Sequence, residues 1–149
     1  MKFSARGFTL IELLVVIGLL VIMMASVFLI LKPGKRTSQA RDVTRKSDIG
    51  QIANALKAYY TVRETYPGPS GSASASGLTT LVSSGDLKSI PKDPTGGDYQ
   101  YTVSGLGIGA VAAVFATLED PTTGTGSWVW CFRTESVSIS EVTVGSCLP

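Results

Sequence analysis

Histidine is absent from this chain, which excludes imidazole acid–base chemistry and His-ligated metal sites. Cysteine is nearly absent: Cys131 and Cys147, both near the C-terminus, are the whole complement. Charged residues are sparse, at 16%. No constellation of nucleophile, base and orienting acid can be assembled from what remains, so neither an enzyme nor a cofactor is expected. Gly105-x-Gly107-x-Gly109 is not a nucleotide fingerprint, because no strand–helix unit with a following acid surrounds it.

What the chain has instead is one long apolar run. From Phe8 to Leu31 the only residues that are not apolar are Thr9, Glu12, Gly18 and Ser26. At about 1.5 Å per helical residue the run spans roughly 36 Å, against a bilayer core of about 30 Å. Glu12 is the anomaly. A carboxylate in a membrane segment costs about 2.5–3.5 kcal/mol even on insertion scales, so it marks a functional site by default. A plain signal anchor gives no reason for it, and a cleaved secretory signal wants a shorter apolar core with the cut after it.

Lys2, Arg6 and Gly7, followed by Phe8-Thr9-Leu10-Ile11-Glu12-Leu13-Leu14-Val15-Val16-Ile17, resemble the leader and cleavage site of type IV prepilins and type II secretion pseudoprepilins. The resemblance implies a cytoplasmic N-terminus and a prepilin peptidase that cuts between Gly7 and Phe8 and methylates the new Phe8 amine. It implies that Glu12 meets the Phe8 amine of a neighbouring subunit when the helices bundle into a filament. An assembly ATPase and a platform protein are implied with it. On this reading residues 1–7 are a leader, 8–31 a transmembrane and filament-core helix, 32–62 the second half of a long helix, and 63–149 an α+β head. The positive-inside rule does not decide the orientation, because Lys32, Lys35 and Arg36 on the far side balance Lys2, Arg6 and the initial amine.

Charge is unevenly placed. Residues 32–57 carry seven basic residues against two acids, a net of +5; beyond Tyr60 there are four basic residues against eight acids, a net of −4. An acidic outer domain is a poor match for nucleic acid. In an exported head Cys131 and Cys147 read by default as a disulfide, with two reduced thiols as the alternative. The family often staples its C-terminal region, and the resemblance supports the bridge.

Along the chain, Lys32-Pro33-Gly34-Lys35 predicts a break or kink; many family members carry the kinking proline earlier, at the position of Leu29. A second helix is expected over 38–62, with an apolar stripe at Ile49, Ile52, Leu56 and Tyr59, an opposite face carrying Arg41, Arg45, Asp48 and Lys57, and an i,i+4 pair between Asp42 and Lys46. Thr65-Tyr66-Pro67-Gly68-Pro69 ends it. Residues 70–77 read as a flexible Gly/Ser/Ala loop, and a short helix follows from Leu78 to Gly85. Pro91-Lys92-Asp93-Pro94 and Tyr99-Gln100-Tyr101 resemble the Pro-x-Asp-Pro loop and following strand of major pseudopilins, and read physically as a rigid connector. Alternation then predicts strands at 99–103, 110–118, 128–132 and 137–144, giving three or four antiparallel strands against the long helix. Trp128 and Trp130 share one strand face, as core or subunit contacts. Type II major pseudopilins bind calcium near the segment 119–127; its two adjacent acids are too few for that ion and read as an acidic loop.

The functional expectation is a structural subunit of a type IV pilus-like filament, a homopolymer that is single-pass in the cytoplasmic membrane before assembly and extracellular or periplasmic after it. The alternative is the major pseudopilin of a type II secretion system. The cysteine pair and the weak calcium loop favour the pilin; the Asp93-Pro94 loop and the small head favour the pseudopilin. A membrane-anchored binding domain, such as one capturing DNA for uptake, is the rival from another class.

Overall fold

The computed structural model describes residues 7–68, 70–105 and 107–147, apart from the side chains of residues 28, 29 and 31. Lys2 and Arg6 of the expected leader lie outside the described residues. The chain divides into two units, Met1–Thr37 and Ser38–Pro149.

The first helix, α1, covers Leu10–Leu31 rather than starting at Phe8. Thr9 caps it from an extended conformation, its hydroxyl accepting from the Glu12 amide at 3.3 Å, so one orphan donor of the first turn is satisfied. The Ser26 hydroxyl donates to the Ile22 carbonyl at 3.1 Å, which satisfies a polar group within the apolar stretch. The expected kink is a break at one residue. Lys32 is left-handed, with φ 42°, and ends α1. The second helix, α2, begins at once and covers Pro33–Arg63, five residues earlier than expected. Proline has no amide to satisfy at a first helical position, so Pro33 starts a helix instead of interrupting one.

The head packs α2 on an antiparallel meander ordered β1-β2-β3-β4-β5, with β1 Gly71–Ser74, β2 Gln100–Ser104, β3 Val111–Thr117, β4 Trp128–Arg133 and β5 Ser138–Thr143. The α+β class stands. The sheet has five strands because part of the expected Gly/Ser/Ala loop pairs with β2, Gly71 opposite Val103 and Ser74 opposite Gln100. Ala75–Gly77 form a 3-10 turn, and the expected short helix, α3, is a single turn at Thr79–Ser83. Gly105, Gly107 and Gly109 turn the chain from β2 to β3 at φ between +79° and +88°, which side chains with a Cβ rarely adopt.

Alternation along the strands builds two apolar layers. Tyr101, Val103, Ala112, Val114, Ala116 and Phe132 pack with Ile49, Ile52 and Leu56 of the predicted α2 stripe and with Ala53 beside it, these four fully buried. Ala113, Val129, Cys131 and Cys147 form a second cluster with Phe115 and Val142. Cys131 and Cys147 are bonded to each other, tying the last 3-10 turn, Val144–Cys147, to β4.

Two expectations about α2 are corrected. Arg45 and Asp48 are buried, not displayed on an outer face with Arg41 and Lys57. Asp42 pairs with Arg45 instead of Lys46, whose ammonium lies 4.6 Å from the centre of the Trp130 ring. Trp130 packs against the core beside it, so its face is a structural one.

Candidate functional site

Two regions carry chemistry that packing alone does not require. The first is the start of α1. Phe8, Leu10, Ile11, Leu13 and Leu14 are all more than half exposed, and the helix is long and apolar enough over Leu10–Val27 to cross a membrane. Glu12 lies in its first turn, where a carboxylate complements the partial positive charge of the helix start. Gly7 and Phe8 precede the helix in irregular, exposed backbone. The expected cleavage and assembly residues Gly7, Phe8 and Glu12 therefore stand together at one exposed helix end.

The second region centres on Arg45, which is 3% exposed. Its guanidinium forks onto Asp93, with Nε 2.5 Å from Oδ2 and Nη2 3.0 Å from Oδ1. Nη1 donates to Asp42 Oδ1 at 2.7 Å, and Nη2 also donates to Glu119 Oε1 at 2.7 Å. Arg41 donates to Glu119 through Nε and Nη2. Asp42 in turn accepts from the backbone amides of Glu119 and Asp120, at 3.0 and 2.7 Å, and Gln39 Nε2 donates to Asp120 Oδ2 at 2.8 Å. Nearby, the Tyr99 hydroxyl donates to Asp48 Oδ2 at 2.6 Å. The loop before β2 and the β3–β4 connection are thus both tied to the first turns of α2 in this unit.

The Asp93-Pro94 loop, expected as a rigid connector, and Glu119-Asp120, expected as a plain acidic loop, are both ion-paired, and Arg45, expected on an outer face, is their common partner. The signal was present: Asp42 and Arg45 continue the stripe Ile49, Ile52, Leu56 toward the N-terminus at spacings of three and four. Part of the uneven charge has the same origin, since Arg41 and Arg45 pair with Asp93 and Glu119.

The Arg45 hydrogen bond holds the Asp93 carboxyl well below its ordinary value of 3.8. Hydrogen bonds from Arg41 and then Arg45 lower Glu119 from 4.5 to about 2. Carboxylates with depressed folded values contribute stability that is complete above the unfolded values and is lost as pH falls through the folded ones. Acidification from 4.5 toward about 2 should therefore loosen the β3–β4 connection, read as falling protection factors across 119–127 once the intrinsic pH dependence of amide exchange is divided out. Protection factors there that stay constant over this range would refute the assignment.

Comparison with known families matches residues 2–28 to the prokaryotic N-terminal methylation motif and residues 33–127 to type II secretion system protein G. The chain belongs to the type II secretion system protein G family. Its similar proteins are all named type II secretion system core protein G. That of Pseudomonas aeruginosa is 36% identical over 66% of this chain and 74% of its own length. That of Klebsiella michiganensis is 30% identical over 84% of this chain and 94% of its own length. That of Vibrio cholerae is 35% identical over 66% and 71%. No solved structure matches significantly. The family is structural, not enzymatic. It also favours the secretion-system alternative over the pilus subunit expected from the sequence, because the matched family is type II secretion system protein G.

Proposed function

We propose that this protein is the filament-forming pseudopilin of a type II secretion system. The observation that carries the proposal is the adjacency of the two matches, a methylation motif over 2–28 and protein G over 33–127, on a chain whose first helix can cross a membrane. A prepilin peptidase cuts between Gly7 and Phe8 and methylates Phe8. Residues 8–31 hold the subunit in the cytoplasmic membrane, with the head on the periplasmic side. Assembly, driven by an ATPase and a platform protein, then transfers α1 from lipid into a bundle of its own copies. The apolar side chains exchange one apolar surrounding for another, so the transfer is nearly neutral for them. Glu12 differs, because in lipid its carboxylate is unpaired and in the bundle it meets a Phe8 amine. That pair supplies direction and axial register, as polar groups in apolar interfaces do elsewhere.

Intact-mass spectrometry of protein extracted from its native cell tests the processing step. The expected species begins at N-methyl-Phe8 and is two hydrogens light at Cys131–Cys147. A chain beginning at Met1 in grown cells would remove the filament reading. Deletion of the gene should stop secretion of exported proteins while leaving surface pili in place; the opposite outcome would restore the pilus reading.

A further inference from the structure

The family resemblance implies a calcium ion in the connection after β3, and the residues here do not fit one. Calcium wants six to eight oxygens, and both carboxylates of this segment already have protein partners. Glu119 is held by both Arg41 and Arg45, and Asp120 accepts from Gln39. Asp42 accepts from two backbone amides of the connection and from Arg45. Among the described residues no three acids or cysteines are grouped as a metal would need.

We infer that the Arg45 guanidinium, seconded by Arg41, takes the place of a bound cation in this head, so that the β3–β4 connection is fixed and the subunit folds without a divalent ion. Carboxylates from three separate segments converge on one buried positive group: Asp42 from α2, Asp93 from the loop before β2, and Glu119 from the end of β3. All three nitrogens of the guanidinium are used, and the planar fork suits the paired contact to Asp93. Asp42 does double duty, pairing with Arg45 while its oxygens cap the amides of Glu119 and Asp120. A tethered guanidinium stays charged at every physiological pH and cannot dissociate, so the loop would hold at any calcium concentration. The inference does not depend on which filament the chain builds.

The test uses the full-length protein in detergent, with thermal unfolding and amide exchange measured in excess chelator and in millimolar calcium. The unmodified protein should give the same midpoint and the same exchange in both. Arg45→Met should speed exchange across 119–127 by about tenfold or more, with Arg45→Lys between the two. If Arg45→Met does not fold, Arg41→Met carries the same readout, since it releases only one side of Glu119. A calcium-dependent midpoint or stoichiometric calcium uptake by the unmodified protein would overturn the inference. So would unchanged exchange in the arginine variant that folds.

Discussion

Replacing Glu12 with leucine should abolish filament growth while leaving the head folded. The argument is one of destinations. A buried carboxylate in lipid is worth up to about 2.5–3.5 kcal/mol against insertion, less for a residue near the boundary such as Glu12. Leucine removes that cost and makes the membrane-held monomer more comfortable, and it removes the partner proposed above for the Phe8 amine of a neighbouring copy. Both changes act against leaving the membrane. The head should not notice, because Glu12 lies in the unit Met1–Thr37 and every core residue lies beyond it. Glu12→Gln separates charge from shape, since it keeps polarity and volume but cannot form an ion pair. Counting filaments by electron microscopy, with limited proteolysis of the head as the control, checks the prediction. Normal filaments from Glu12→Leu would end the assembly role of this residue.

Removing the Cys131–Cys147 bridge should cost the head about 3 kcal/mol, the chain-entropy value for closing a loop with a separation of 16. For a head of this size that is on the order of a 10 °C fall in the unfolding midpoint. The double Cys→Ala variant is the cleaner probe, because both positions are buried and serine would add unpaired hydroxyls. The lost contacts fall on Ala113 and Val129, so the damage should centre on that layer and leave the α2 layer paired. Calorimetry of the variant beside the oxidised parent decides it. Coincident midpoints would mean that packing alone holds the last turn.

Large side chains at regular spacing made much of this molecule legible. The apolar run, the stripe on α2 and the alternation of Tyr99, Tyr101 and Val103 each announce their element, although α2 itself starts five residues before the expected Ser38. β1 was missed for the opposite reason. Its sequence, Gly71-Ser72-Ala73-Ser74, has no side chain able to bury area, and its conformation comes from backbone pairing with β2. The Arg45 cluster was missed because hydrophobic periodicity treats a charge as an outward residue, whereas here the guanidinium sits at an inward position and is compensated from three segments. The choice between pilus and secretion subunit was not legible in these terms at all, because it turns on how the filament is used and not on how the subunit is built.

The meander also bears on how fast the head forms. Each strand pairs only with its neighbours in sequence, and β3, β4 and β5 are joined by short connections. Local pairings close small loops and form early, so such a sheet needs few long searches. The slower steps are the docking of α2 and the 25-residue return from β1 to β2, between Ser74 and Gln100. With only two cysteines in the chain, no incorrect bridge can form within a subunit. The head can therefore become rigid quickly once its strands begin to pair.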